Sequence, residues 1–170
     1  MDEALIRARL DEALRETQPD FGAFFLLRLF GLDVSYGEET CTVRIPTSAE
    51  MFNPQGTSLH GGVLTMAVDI SMGHLCKRFL STCVTVDMDL KYLRPINGPA
   101  RCEASFLKKG RRLVTVQTRV FDQRDRLAAF ATATWYRLPE DTAADGDAEP
   151  PDATSAAGDG GGGRGQEDVR

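Results

Sequence analysis

The sequence predicts an α+β fold: a strongly curved antiparallel β-sheet wrapped around one long central α-helix. Two observations carry this. From His60 to about Leu80 the apolar spacing is helical, yet the first two-thirds is apolar on nearly every side, as in a helix that is buried all round. Four strand-like runs follow, "CVTVDMDLKYL", "ARCEASFLK", "RLVTVQTRVF" and "RLAAFATATWYRL", separated by the turn-like "RPINGP", "KKGR" and "FDQRDR". That spacing is that of an antiparallel meander, whose concave face would cover the helix.

The elements before the helix read less regularly. Residues 2–17 place Leu5, Ile6, Leu10 and Leu14 at helical spacing among charges, so an amphipathic N-terminal helix is expected within residues 1–18. Pro19 opens a second apolar-periodic stretch with Phe21, Phe24, Phe25 and Leu29, closed by Gly31. From Leu32 to Pro46 the pattern shifts to alternation: Cys41, Val43 and Ile45 face one way, Thr42 and Arg44 the other. This is a strand, or a hairpin turning near "YGEE". "NPQGTSLHGG" is a loop by composition, with Asn53 held extended by the proline after it.

The chain of 170 residues is expected to hold one domain, 19–138, with enough residues for a real core. Its 42% hydrophobic and 26% charged residues are those of an ordinary soluble protein. The net charge of −5 is uneven: residues 139–170 carry nine acids against Arg164 and Arg170, a balance of −7, leaving +2 on the rest. That tail has no large apolar residue except Val169 and is predicted to be disordered. Cys41, Cys76, Cys83 and Cys102 lie in apolar-periodic segments without metal-ligand spacing, so buried thiols in a reducing compartment are expected, and no metal. The charged N-terminal segment lacks the form of a signal peptide, and no window approaches the ~18 apolar residues of a membrane span. The expected location is cytoplasmic, with no membrane partner.

Two anomalies mark the site. The central helix opens on Gly61 and Gly62, the poorest non-proline helix formers, and carries Asp69 as the only ionisable side chain between Val63 and Met72. Glycines at a helix start leave first-turn N–H groups uncovered, and those donors suit an anion or a developing oxyanion; tight packing against a strand is the alternative. A carboxylate in an apolar run is either bonded for structure or held for chemistry, where it can attack a polarised carbonyl or activate a water. Gly61 and Asp69 are eight residues apart, roughly 12 Å along one helix, so they cannot reach one carbonyl from the same chain. If they act together, a second copy must supply one of them, and a two-fold homodimer with antiparallel helices does so.

From Lys91 to Arg112 seven basic residues (Lys91, Arg94, Arg101, Lys108, Lys109, Arg111, Arg112) face one acid, Glu103. Such a patch is either a solvated turn or a seat for a phosphate-bearing ligand. No aromatic platform accompanies it, which argues against nucleic acid.

The series "NPQGTSLHGGVLTMAVDISMG", "VTVDMDLKYLRP" and "KKGR" resembles the hotdog-fold thioesterases of the PaaI-like type over roughly residues 20–138. The resemblance implies hydrolysis of acyl-CoA by homodimers or dimers of dimers, with no cofactor because CoA is part of the substrate. By position it implies that Asp69 is nucleophile or general base and that the Gly61 amide, with His60 beside it and Gly62 next, polarises the carbonyl. Asn53 and Thr85 would place the thioester or the water. Lys108, Lys109, Arg111 and Arg112, with Arg94, would meet the nucleotide phosphates. The loop from Asn53 to His60 is one residue longer than the family spacing, with Thr57-Ser58 where one residue is common, so Gln55 is an alternative to Asn53. His60 is expected to hold the loop, His74 to be packed or at the surface, and Asp87 and Asp89 to share a strand face without forming an acid-base pair. A hydratase would need a different His and acid arrangement. A hotdog module that binds acyl-CoA without hydrolysing it is the non-enzymatic alternative.

Overall fold

The computed structural model describes residues 3–15 and 24–139. The expectations for Pro19, Phe21 and the acidic tail beyond Pro139 lie outside them. Helix α1 (Glu3–Leu14) and the short α2 (Phe25–Phe30) precede a hairpin of β1 (Asp33–Gly37) and β2 (Thr40–Ile45). Helix α3 (Gly61–Phe79) follows, then β3 (Cys83–Tyr92), β4 (Ala100–Lys109), β5 (Leu113–Phe121) and β6 (Leu127–Arg137). Gly31 ends α2 in the left-handed conformation, φ 59°, that glycine adopts at no steric cost. Arg9 ties α1 to the loop before α3, donating to Ser48 Oγ at 2.8 Å and Glu50 Oε1 at 3.0 Å.

The six strands form one antiparallel sheet in the order β1-β2-β4-β5-β6-β3. The expected meander therefore holds for β4, β5 and β6 but not for β3, which pairs with β6 at the far edge. Residues 93–99 make the return: the Leu93 and Arg94 amides donate to Ala128 O, and Ile96 O accepts from Leu59 N. Seven extended residues reach roughly 23 Å, and crossing β6 and β5 takes about 14 Å, so the connection is long enough. Turn composition shows that a chain reverses but not which strand it returns to.

On β6 the inward positions are Ala129, Ala131, Ala133 and Trp135, all buried. Three small side chains let α3 lie close to the sheet, and Val43, Val114, Val116 and Val120 complete that wall. The helix is not buried all round, as its composition predicted. Leu64, Ala67, Val68, Ile70, Ser71, Met72 and Leu75 are buried, but Thr65, Met66, Asp69 and Gly73 are partly exposed along one stripe. Residues three and four apart share a helix face, so this stripe is the less covered side of the helix, flanked by Tyr92, Thr85 and Trp135 of the sheet.

Candidate active site

The start of α3 is built by His60. Its amide donates to Met51 O at 2.8 Å, its carbonyl accepts from Leu64 N, and its ring Nδ1 accepts from Gly62 N at 3.0 Å. The imidazole is thus a helix cap, and it takes up the Gly62 N–H. The Gly61 N–H meets no acceptor among the described residues. A Cβ at Gly61 would lie 3.2 Å from Tyr92 Oη, so this glycine stands where the chain must leave room. Asn53 closes the preceding loop. Its Nδ2 donates to Ser58 Oγ at 2.9 Å, and its Oδ1 accepts from Thr57 N and Oγ1, each at 3.3 Å. Gln55 is exposed in that loop.

Asp69 is half-buried rather than sealed in the core. Thr85 Oγ1 donates to its Oδ1 at 2.9 Å, fixing the carboxylate from the neighbouring edge strand. Tyr92, at the other end of β3, also faces the helix: its hydroxyl lies 2.7 Å from Thr65 Oγ1 and donates to Gly61 O at 3.1 Å. Thr85 and Tyr92 are an odd number of residues apart, and a regular strand would point them to opposite faces. The pairing with β6 slips between Thr85 and Asp87, so Val86 is an extra residue in a bulge. The bulge turns the later half of the strand over and brings both side chains to the helix.

The structure groups the expected binding residues in two places. Arg94 lines a cleft of about 510 Å³ together with Asn53, Gly61, Gly62 and Tyr92. Arg111 and Arg112 line a larger cleft, about 870 Å³, with Ser81, Tyr136 and Arg137, beyond the C-terminal end of α3. Lys109 is paired with Glu39 on the β1–β2 turn, and Lys108 is exposed. Within one chain the two basic groups sit at opposite ends of the helix. A third cleft, about 390 Å³, runs from Asp69 to Phe24, Ile70, Gly73, His74 and Trp135.

Tyr92, Gly73 and Trp135 were not singled out by the sequence. An odd spacing hid Tyr92. Gly73 faces Trp135, whose Cη2 would be 3.0 Å from a Cβ there, a match visible only once β6 lies against α3.

His74 is packed: it is 2% exposed, its Nδ1 lies 2.7 Å from Tyr36 Oη, and burial pushes its pKa below the usual histidine value. Asp87 and Asp89 point away from the helix, opposite Thr134 and Thr132, and Asp89 pairs with Lys91 at 2.6 Å. All four cysteines are free, and burial pushes the Cys41 and Cys76 thiols up to about 12. Among the described residues no three acid, cysteine or histidine side chains cluster to hold a metal ion, and no helix is long and apolar enough to cross a membrane.

A curved six-stranded antiparallel sheet folded over one long helix is the hotdog architecture. The thioesterase superfamily pattern matches residues 56–129, from the loop before α3 into β6. A Saccharolobus solfataricus protein named as an esterase is 33% identical over 99 residues, which is 56% of this chain and 70% of that protein. The medium/long-chain acyl-CoA thioesterase YigI of Escherichia coli is 28% identical over 94 residues, 45% of this chain and 61% of YigI. Among solved structures, conserved protein PA5202 from Pseudomonas aeruginosa superposes with a TM-score of 0.63 at 31% identity, covering 71% of this chain and 98% of that one. The BH2602 protein from Bacillus halodurans, solved with CoA, superposes at 0.71 and 23% identity over 81% of this chain and 94% of its own, a likeness of fold. The chain belongs to the thioesterase superfamily and is a thioester hydrolase.

Proposed function

We propose that the protein hydrolyses acyl-CoA thioesters in composite sites, each made by Gly61 of one chain and Asp69 of a second copy. The observation that carries this is the pairing of an unused Gly61 amide with a Thr85-held carboxylate eight residues, roughly 12 Å, further along the same helix. The open stripe of α3 is where a second helix would lie. Strand β3 supports the same assembly: it is ten residues long, its outer edge is unpaired, and it exposes Val84 and Val86. A strand of this length at a sheet edge can pair with another, and its own copy, related by a two-fold axis, is the proposed partner.

In this site the thioester carbonyl oxygen accepts from Gly61 N–H, where the helix dipole favours developing negative charge. Asp69 either attacks the carbonyl carbon or takes a proton from the attacking water. After net addition of one water the C–S bond is broken, giving the free acid and CoA thiol. Thr85 keeps the carboxylate aimed, and Asn53, tied into its loop, shapes the mouth beside Gly61. The antiparallel pairing also explains the two basic groups. The arginine cleft of the second copy lies beyond its own Asp69 by the ten residues of helix up to Phe79, roughly 15 Å, on the same side as Arg94 of the first. A pantetheine arm spans such a length, so Arg94 and the Arg111–Arg112 turn would share one nucleotide, with Lys108 and Lys109 at the rim. YigI supports acyl-CoA as the substrate class. Four free thiols favour a reducing, cytoplasmic setting, and dimers of dimers are the larger assembly expected.

The test is CoA release from short, long and aromatic acyl-CoAs by wild type and Asp69→Ala, with the mass of each in solution. Hydrolysis by a wild-type dimer, reduced at least a hundredfold in a variant that remains dimeric, is expected. No release by folded dimer would leave an acyl-CoA-binding module; full activity as a monomer would remove the composite site. Single turnover in heavy-oxygen water separates attack by Asp69, which labels the protein, from base catalysis.

A further inference from the structure

Pro139, the last described residue, is itself part of the wall of the arginine cleft. The end of β6 is fastened there from both sides: the Arg137 amide donates to Arg112 O at 2.8 Å and the Leu138 amide to Thr82 O at 2.9 Å. Whatever follows Pro139 therefore leaves from within the cleft. Its charged lining is Arg111, Arg112 and Arg137, with no acid. Arg137 Nε donates to Ser81 Oγ at 3.3 Å, and Lys109 on the neighbouring strand end is matched by Glu39. Arg111 and Arg112 are exposed and make no ion pair among the described residues.

The sequence supplies the opposite charge at this point. The first six charged residues after Pro139 are all acids, Glu140, Asp141, Asp145, Asp147, Glu149 and Asp152, and no base occurs before Arg164. Guanidinium forks take carboxylate and phosphate oxygens in the same paired geometry. A segment tethered at the cleft is held at roughly millimolar effective concentration, so surface pairs that are weak one by one suffice to fill it.

We propose that residues 140–152 dock in the arginine cleft of their own chain and compete there with the phosphates of CoA. The competition rests on the reading above, which gives this cleft to the nucleotide; the docking does not. An acyl-CoA must displace the acids before its phosphates reach Arg111 and Arg112. The segment thus sets the apparent affinity for substrate without touching Asp69 or Gly61. Because the contact joins exposed charges, salt screens it.

The test keeps the full chain and neutralises the segment: Glu140→Gln, Asp141→Asn, Asp145→Asn, Asp147→Asn, Glu149→Gln and Asp152→Asn together. All six positions lie beyond β6. Titrated calorimetrically at low ionic strength, CoA should bind the neutralised chain about fivefold more tightly than wild type, and the difference should vanish near ~0.5 M salt. With an acyl-CoA that is hydrolysed, the same factor should appear in KM and leave kcat unchanged. A second measurement needs neither CoA nor turnover. In amide NMR spectra of the ligand-free chains at low salt, the signals of Arg111, Arg112 and Arg137 should differ between wild type and variant and converge as salt is raised. The signal of Arg101, at the other end of β4, should coincide throughout. Coincident Arg111, Arg112 and Arg137 signals at low salt, or equal affinity for CoA, would each overturn the inference while leaving the thioesterase reading intact. If neither chain binds CoA or hydrolyses any acyl-CoA, that reading fails instead, and the ligand-free spectra still decide whether the segment occupies the cleft.

Discussion

Thr85 and Tyr92 reach the same helix from one strand, Thr85 bonded to Asp69 and Tyr92 to Gly61, because the extra residue Val86 reverses the facing of the chain between them. The bulge thereby serves both halves of the proposed site. Deleting Val86 would restore a regular strand and turn one of the two away from α3. The expected result is a loss of activity of at least tenfold, roughly the effect of misplacing one hydrogen-bonded group beside a charge. Val86→Thr keeps the residue count and a β-branched side chain at an exposed position, and should stay within a factor of two or so. Equal activity in the deletion and the substitution would show that the bulge has no part in the site.

The hydrogen bond from Thr85 makes a separate claim about Asp69. A bond to a carboxylate is worth about 1.5–3 kcal/mol when buried, and less at a site as open as this one. Thr85→Val removes the donor at constant shape, so kcat should fall about tenfold with KM little changed, and Thr85→Ser should recover most of it. A matching rise in KM instead would move Thr85 from positioning the carboxylate to binding substrate.

At the helix start the relevant clash is with a side chain that can move. A Cβ at Gly61 meets Tyr92 Oη at 3.2 Å and Cζ at 3.4 Å, so Gly61→Ala should cost little stability but crowd the amide that the carbonyl must approach. A reduction of about tenfold in kcat is expected. Tyr92→Phe removes the nearer atom, and the double variant should be more active than Gly61→Ala alone, a coupling that independent sites would not show. The comparison needs only initial rates and melting curves for four proteins.

The central helix and the later strands were legible because apolar period reports burial directly, and Asp69 stood out against that background. What could not be read was anything set by pairing. The return of β3 to β6 depends on a crossing loop whose composition matches a hairpin turn, so the meander expectation failed there. Tyr92 was hidden by a bulge that leaves no mark in the residue types, and Trp135 by a contact with Gly73 that joins residues 62 positions apart. The open stripe of α3 was obscured for a related reason. Met66 and Gly73 count as apolar in a pattern, yet in one chain both stay partly exposed.

His74 gives the protein an acid-sensitive element distinct from the proposed chemistry. It is 2% exposed between Tyr36 and Phe24, and burial, which penalises the charged ring, lowers its pKa from the ordinary 6.5. The unfolded chain therefore takes up a proton near pH 6.5 while the native ring stays neutral. Stability from this group is whole above that pH and declines as the pH falls from there to the lower native value, below which it levels off. Melting temperature measured between pH 8 and 5 should fall through the acid half of that range. His74→Gln, which cannot titrate but can still accept from Tyr36, should flatten the slope in that window even if it lowers stability at every pH. An unaltered slope in the variant would assign the acid sensitivity to other groups and leave His74 as packing alone.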